Sequence, residues 1–231
     1  MEGHRPLDIL IIGRGRMGQA VDRLARQRGH NVVASFGRNE LSSDAWPEVD
    51  VAVDFTLPES ALDVFAACRS HGVPLVSGTT GWIEHWADVE SSVREAGHAM
   101  LWAPNFSIGI HLYRKALRQV ASMMRRHGEF APSIHEVHHT GKRDAPSGTA
   151  RALGADLDAL GVKGCEISAQ RLAGVPGTHE VKWQGPMDAI TLTHSALNRD
   201  GFAAGAVMAA EWLQGCSGPF DRIYGMEDVW G

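Results

Sequence analysis

The sequence predicts an α/β fold, with a doubly wound parallel sheet followed by a second, smaller α+β domain. Three observations support this prediction. A short apolar run at residues 7–12 leads directly into a glycine-rich turn. Strand-like apolar runs then alternate with amphipathic helical segments as far as residue 103. Beyond residue 107 this alternation stops, and three strand-like runs follow one another between Gly and Pro turns.

The elements of the first domain follow from local patterns. An apolar strand over residues 7–12, a helix over 19–29 that ends at a glycine, and a strand over 32–36 form a βαβ unit. The same reasoning predicts strands over 49–56, 73–77 and 99–103, with helices over 60–71 and 84–97. This rhythm is typical of a parallel sheet with helices on both faces.

The second domain has a different order of elements. Helices are predicted over 108–127 and 147–160, and strands over 133–138, 165–172, 178–184 and 189–195. A small, apolar helix over 202–213 would carry the chain back to the first domain. We therefore expect a dinucleotide-binding domain at residues 1–106 with the returning segment 207–231, and a substrate-binding and oligomerisation domain at 107–206.

Composition excludes several classes of protein. The chain has 231 residues and a net charge of −5, so it lacks the basic excess that nucleic-acid binding requires. No stretch approaches the roughly 18 apolar residues of a membrane span, and the N-terminus reads as a strand and not as a signal peptide. The three cysteines are widely spaced and form neither a disulfide framework nor a metal motif. A cytoplasmic protein is the simplest expectation.

The turn after the first strand contains the spacing Gly13, Gly15, Gly18. Alone this spacing is weak evidence, and an ordinary strand–helix turn without a ligand is the alternative. Its position between a strand and a helix, inside a βαβ unit, favours a Rossmann-type dinucleotide site. The residues expected to contact the cofactor in this turn are Gly13, Arg14, Gly15, Arg16, Met17 and Gly18.

Three further segments are expected to face the cofactor. The end of the second strand has no acid before Glu40, so Arg38 favours NADPH, or the use of both NADPH and NADH. The alternative is that Arg38 is a solvated loop residue. The loops after the fourth and fifth strands suit the nicotinamide end, although either could be a plain turn. Their candidate residues are Gly78, Thr79, Thr80, Ala103, Pro104, Asn105 and Phe106.

The segment from Glu136 to Ala150 concentrates chemistry that suits an anion and a proton. His138 and His139 can exchange protons near neutral pH, and Lys142 supplies a fixed positive charge. Ser147, Gly148 and Thr149 place hydroxyls and backbone N–H groups at a predicted helix start. These groups together predict a site for a small, doubly anionic substrate that needs one proton.

Two other chemistries fit this segment less well. Zinc requires three or four spaced ligands, and Lys142 would repel a cation, so no metal site is expected. The remaining histidines lack metal-like spacing and are expected to be ordinary residues: His111, His135, His179 and His194. A serine hydrolase using Ser147 would lack the G-x-S-x-G elbow and would leave the first domain without a role.

The chain resembles the 4-hydroxy-tetrahydrodipicolinate reductase family, long called dihydrodipicolinate reductases. The segment Glu-Val-His-His, Lys142 and Asp-Ala-Pro-Ser-Gly-Thr-Ala is its most specific signature. Matching segments follow in order over nearly the whole chain, at residues 15–18, 78–81, 104–107, 171–179 and 199–206. The glycine-rich turn is one residue shorter than usual, and the usual acid that selects the cofactor is absent.

The resemblance implies a reductase that transfers hydride from NADPH or NADH to a cyclic imine dicarboxylate of lysine and diaminopimelate biosynthesis. It implies that His138 protonates the substrate, assisted by Lys142, and that His139, Ser147, Gly148 and Thr149 bind it. It also implies a homotetramer built through the sheet of the second domain. The rivals are a related imine or amino-acid dehydrogenase and a non-catalytic dinucleotide sensor, which would not need His138 and Lys142 together.

Overall fold

The computed structural model describes residues 5–230, and these divide into two compact units. One unit contains the stretch up to Ser107 together with the stretch from Asp200 onward, and the other is Ile108–Arg199. Among the described residues, none of the helices is both long and apolar enough to cross a bilayer. Each unit has its own sheet and its own hydrophobic core.

The first unit is built on five parallel strands in the spatial order β2-β1-β3-β4-β5. The strands are β1 (Asp8–Ile12), β2 (Asn31–Phe36), β3 (Val51–Asp54), β4 (Leu75–Ser77) and β5 (Met100–Trp102). The central strands β1 and β3 are almost wholly buried because separate apolar clusters cover both faces of the sheet. This explains their continuous apolar runs and confirms the doubly wound parallel sheet.

Within residues 5–230, seven α-helices are numbered in chain order across both units. They are α1 (Arg16–Gln27), α2 (Ala61–Ser70), α3 (Trp86–Ala96), α4 (Ile108–Met124), α5 (Gly148–Ala159), α6 (Asp200–Gly215) and α7 (Met226–Trp230). Helices α1 and α6 contribute to one core cluster of the first unit, and α2 and α3 contribute to the other. Short 3-10 turns cover Arg38–Glu40, Pro58–Ser60 and Ile83–His85.

The boundary predicted at residue 206 is wrong, because α6 begins at Asp200 and lies wholly in the first unit. Its small residues, including Ala203 and Ala206, are buried in that unit's core. The reason for the small residues is close backbone approach. A Cβ on Gly205 would lie 1.8 Å from the carbonyl oxygen of Phe106, so the helix requires glycine there.

The second unit contains a four-stranded sheet in the order β7-β6-β8-β9. Its strands are β6 (Ala131–His138), β7 (Glu166–Arg171), β8 (Gly177–Gln184) and β9 (Ala189–Ala196). β7 pairs parallel with β6, whereas β8 and β9 pair antiparallel. Alternate residues of β6 and β8 point into a core shared with α4 and α5, which confirms the mixed-sheet α+β prediction.

Candidate active site

Strand β6 presents two polar side chains on its buried face, at its carboxyl end. Ile134, Glu136 and His138 alternate with more exposed residues, so all three point to the same side. Glu136 is fully buried and His138 is 8% exposed. A carboxylate and an imidazole two residues apart on a strand are therefore adjacent and largely shielded from solvent.

The neighbouring strands add two further polar groups to the same face. His179 on β8 pairs across from Glu136, and its ring lies 5.0 Å from the His138 ring, centroid to centroid. Arg171 at the end of β7 pairs across from His138 and places Nη2 3.2 Å from Glu136 Oε1. Four polar side chains therefore meet at the end of the sheet. We call Glu136, His138, Arg171 and His179 the β6 cluster.

Gly177 leaves space beside the ring of His138, the residue predicted to act as the acid. A Cβ at this position would lie 3.0 Å from both Cδ2 and Nε2 of His138. A larger residue would press on the imidazole and cover the nitrogen that faces away from Glu136. The glycine therefore keeps the edge of the ring that bears Nε2 uncovered.

Helix α5 begins beside the β6 cluster. Ser147 is its N-cap, and the serine hydroxyl accepts a hydrogen bond from the Ala150 N–H at 3.1 Å. The Ser147 N–H donates to Glu136 Oε1 at 3.0 Å, and its Oγ lies 3.2 Å from His179 Nε2. The β6 cluster thus holds the first turn of α5, in which Gly148 is exposed and Thr149 is partly buried.

The loop between β6 and α5 is held by Arg171. The Arg171 guanidinium donates to the carbonyl oxygens of Lys142 and Asp144, and the Lys142 N–H donates to the His139 carbonyl oxygen at 3.1 Å. The Lys142 ammonium lies 2.9 Å from Asp144 Oδ1, so the predicted carboxylate-binding cation is ion-paired in this structure. Binding a substrate carboxylate would exchange that partner.

The positive and negative charges of the β6 cluster shift the pKa of His138 in opposite directions. Burial lowers the pKa of His138, Lys142 and Arg171 lower it further, and Glu136 opposes them. Burial is also the main cause that lowers the pKa of His179 to about 4. Burial acts to raise the pKa of Glu136, but the Ser147 donors and Arg171 outweigh it and hold that pKa below its ordinary value. Near neutral pH the cluster therefore holds an ionised carboxylate beside two mainly neutral imidazoles.

Three members of the β6 cluster could be mistaken for a metal site. Potential ligand atoms of Glu136, His138 and His179 lie within 4.8 Å of one another. The guanidinium of Arg171, however, already contacts Glu136. A divalent ion would stand beside this cation and Lys142, so the charges favour a proton-handling network over a metal centre.

Sequence reasoning missed part of this arrangement. It treated His179 as an ordinary histidine, which is wrong, because His179 is 4% exposed and lies within the β6 cluster. Glu136, Arg171, Gly177 and His179 all lie in segments that match the family pattern, but no role in the site was predicted for them. The alternation of β6 could have placed Glu136 on the same face as His138. The pairing partners of β6 could not be read from the sequence.

In the first unit, the glycine-rich turn has the shape of a phosphate cradle. Gly13 has φ +108°, and a Cβ there would lie 2.3 Å from the Phe55 carbonyl oxygen. A Cβ on Gly18 would lie 1.9 Å from the Gly13 carbonyl oxygen. Gly15 is different: it is exposed, a Cβ there would meet nothing within 4 Å, and as N-cap of α1 it provides no side-chain cap. The residues therefore fit a pyrophosphate at the helix N-terminus.

Glu40, the first acid after the end of the second strand, folds back toward the glycine-rich turn. Its Oε2 accepts from the Gly37 N–H at 3.0 Å, and its Oε1 lies 2.6 Å from Arg14 Nη2. Arg14 also donates to the Ser35 carbonyl oxygen at 2.8 Å. A carboxylate therefore stands close to the end of β2, whereas Arg38 is exposed.

The two predicted nicotinamide loops differ in what they expose. The Thr79 side chain is buried, and its hydroxyl accepts from the Thr56 N–H at 2.8 Å. Thr80 beside it is exposed, whereas Gly78 lies against the Phe55 ring. In the second loop Ala103 and Phe106 are buried core residues, while Pro104 is exposed and Asn105 is partly buried. Thr80, Pro104 and Asn105 therefore have the accessible side chains of these loops.

Comparison with known proteins adds independent evidence. Sequence profiles of the dihydrodipicolinate reductase N-terminus and C-terminus match residues 7–106 and 109–230. A protein of Christiangramia forsetii named 4-hydroxy-tetrahydrodipicolinate reductase is 36% identical over 236 residues, covering 96% of this chain and 97% of that one. One of Stenotrophomonas maltophilia with the same name is 37% identical, covering 91% and 93%.

A solved structure shares the fold. It is the dipicolinate-bound dihydrodipicolinate reductase of Paenisporosarcina sp. TG-14, with a TM-score of 0.74 and 23% identity, covering 97% of this chain and 99% of that one. A probable dehydrogenase of Thermotoga maritima matches more distantly, with a TM-score of 0.55, 12% identity and coverage of 87% and 85%. The two sequence profiles, which cover both halves of the chain, and the relatives at 36% and 37% identity show that the chain belongs to the dihydrodipicolinate reductase family.

Proposed function

We propose that this chain reduces 4-hydroxy-tetrahydrodipicolinate to tetrahydrodipicolinate, with His138 as the general acid. The family is one of reductases, so the type of reaction follows from membership. The observation that supports the assignment of His138 is its place at the end of β6, beside the first turn of α5. Charged and hydrogen-bonding groups line this site, so it suits a small dicarboxylate better than an apolar ligand. The solved relative that holds dipicolinate is consistent with this substrate class.

The substrate's carboxylates have two sets of partners. The first turn of α5 offers the backbone N–H groups of Gly148 and Thr149, with the positive end of the helix dipole behind them. Lys142 supplies the second positive charge after it exchanges Asp144 for substrate. His139, which follows β6 directly, and Ser147 complete the proposed binding set.

The proton step follows from the electrostatics of the β6 cluster. The reduced nicotinamide supplies a hydride when it is bound. Loss of the 4-hydroxyl group as water would convert the substrate into a conjugated imine. Hydride addition to this imine would leave an electron pair on the substrate, and that pair would take a proton from His138. A dianionic substrate raises the pKa of a nearby imidazole, so substrate binding itself would favour the protonated form of His138.

We assign the cofactor to the glycine-rich turn of the first unit and expect both NADPH and NADH to be used. Arg38 and Arg14 provide positive charge for a 2′-phosphate, whereas Glu40 provides an acceptor for ribose hydroxyls. Because Arg14 and Glu40 neutralise each other, neither cofactor is strongly excluded.

A cofactor-oxidation assay tests the reaction. 4-Hydroxy-tetrahydrodipicolinate is generated in the cuvette, and the loss of reduced-nicotinamide absorbance is followed with NADPH and with NADH. Substrate-dependent oxidation with both cofactors is expected. Oxidation with neither would overturn the reductase proposal, and oxidation only with other imines or amino-acid precursors would favour a related dehydrogenase.

We also propose a homotetramer assembled through the sheet of the second unit. Helices α4 and α5 cover one face of this sheet, and the residues that alternate toward the other face include Ser133, Glu180 and Thr193. This polar, β-rich face suits pairing with a second copy. Light scattering coupled to gel filtration should give four times the chain mass, and a monomer would contradict this assembly.

A further inference from the structure

Glu136 is a fully buried carboxylate in contact with every other member of the β6 cluster. A buried charge is costly unless its neighbours compensate for it. Here the compensation is divided between the two oxygens. Oε1 accepts from the Ser147 N–H and from Arg171, while Oε2 lies 3.4 Å from His138 Nδ1 and 3.7 Å from His179 Nε2.

We propose that Glu136 is a positioning residue for the reaction, which orients the His138 imidazole, increases its proton affinity and links it to the substrate-binding turn of α5. This inference rests on the proposed function, because it gives His138 the role of acid. One oxygen holds the Ser147 backbone, and the other faces the acid. A single side chain therefore sets the distance between the carboxylate-binding turn and the proton donor.

The geometry at His138 supports a role beyond packing. Glu136 Oε2 and His138 Nδ1 make no hydrogen bond with any residue that the structure describes, although they are only 3.4 Å apart. A small closure when substrate binds would create a charge-assisted hydrogen bond. With Nδ1 directed to Glu136, Nε2 is the nitrogen that can deliver the proton, and it lies on the edge that Gly177 leaves uncovered.

The other charges around His138 decide the direction of the expected effect. Those facing it are Glu136 on β6, Arg171 on β7, His179 on β8, and Lys142 and Asp144 in the following loop. His194 on β9 acts on His179 and is one step removed. Glu136 and Asp144 favour the protonated imidazole, whereas the cations disfavour it. Removing the charge of Glu136 and removing that of Arg171 should therefore have opposite effects.

The test compares Glu136→Gln with Arg171→Gln by NMR titration of His138 in the ligand-free protein. Glutamine keeps an acceptor for the Ser147 N–H, so the turn can persist. The pKa of His138 should fall by about 1 in E136Q and rise in R171Q. Since the acid must carry a proton, the loss of kcat toward high pH should begin at lower pH in E136Q. At neutral pH kcat should be about tenfold lower, with a smaller change in KM.

The matched control is Glu211→Gln in the first unit, which removes another buried glutamate that contacts an arginine and a histidine. It should leave the His138 titration and the pH profile unchanged. An unchanged pKa of His138 in folded E136Q, or shifts of the same sign in E136Q and R171Q, would overturn the proposal. If E136Q does not fold, Glu136→Asp is the second variant. It keeps the charge but withdraws the carboxylate from His138 Nδ1, so the pKa of His138 should again fall, and an unchanged pKa in folded E136D would overturn the proposal. The titration needs no substrate, so it is independent of the assay that tests the reductase activity.

Discussion

Glu211 in the first unit and Glu136 in the second are both buried glutamates with an arginine and a histidine as neighbours. Their distances differ. Glu211 receives two hydrogen bonds from Arg28 at 2.9 and 2.8 Å and lies 2.8 Å from His30 Nε2. His30 Nδ1 in turn accepts from the Leu7 N–H at 3.2 Å. Every contact is short and joins α6 to the start of β1 and to the turn that follows α1.

Glu136 instead has its imidazoles at 3.4 and 3.7 Å and holds the backbone of a helix start. The same residue types thus form a fully hydrogen-bonded group around Glu211 in one unit. Around Glu136 in the other unit they form a group with longer distances, in which a histidine could gain a proton. Complete pairing at short distance stabilises a fold. Longer distances around Glu136, beside the start of α5, would allow a bound ligand to change the proton affinity of His138. Variants at these two clusters test whether one contributes to stability and the other to chemistry.

The largest expected effect is the loss of kcat in His138→Gln, because this substitution removes the proposed acid. We expect kcat to fall by about 10² to 10⁴-fold, the range for loss of a general acid, with little change in KM. Steady-state kinetics with saturating cofactor measure this. Thermal unfolding provides the control, since the melting temperature should stay near that of wild type. Unchanged turnover would remove His138 as the acid.

Glu211→Gln should show the reverse behaviour. We expect about 1–3 kcal/mol lower stability, because Arg28 and His30 lose a charged acceptor, and near-normal kcat. Burial acts to raise the pKa of Glu211, but Arg28 and His30 outweigh it and hold that pKa below its ordinary value. The stabilisation is therefore complete above the unfolded value of about 4.3 and is lost as the pH falls through the folded value.

Chemical denaturation of both proteins at several pH values tests this linkage. Wild type should lose more stability than E211Q between about pH 5 and about pH 3. If the free energies of unfolding of wild type and E211Q change with pH in parallel, the group around Glu211 contributes no pH-dependent stability. A loss of kcat in E211Q would contradict the separation of the two clusters.

Gly177→Ala probes the space around the acid. Its Cβ would meet His138 at 3.0 Å, so the ring must shift by a few tenths of an ångström. We expect kcat to fall about tenfold, because proton transfer depends steeply on geometry. Gly201→Ala is the control, because a Cβ at Gly201 would meet no atom within 4 Å and this glycine does not have a positive φ. Gly161 is unsuitable as a control because its φ is positive. Full activity in G177A would show that the ring tolerates displacement.

The smallest effect is expected at the exposed ion pair between Arg14 and Glu40. Glu40→Gln removes negative charge beside Arg14, so NADPH should bind a few times more tightly relative to NADH. Fluorescence titration of both cofactors measures their Kd values without turnover. Arg38→Gln is the companion variant and should shift the ratio the other way. An unchanged ratio in both variants would place cofactor selection elsewhere.

Much of the fold and part of the site could be predicted from the sequence. The apolar runs and glycine turns of the first unit indicated all five strands, because a parallel strand buried on both faces has a continuous apolar signature. The adjacent histidines, Lys142 and the Ser-Gly-Thr turn lie within a dozen residues, so this segment by itself was sufficient to predict a site. α7 and the true start of α6 were missed, since short or Gly-containing helices have weak periodicity.

The sequence by itself determined the class of fold, the glycine-rich turn and the segment that contains the proposed acid, because each of these depends on neighbours along the chain. Only the tertiary structure decided which distant residues complete the sites. His179 and Arg171 join Glu136 through strand pairing across 43 and 35 positions, and Glu40 reaches Arg14 across 26. Register and loop closure are set by packing of the whole unit, so the charges that tune His138 emerge only when the sheet forms.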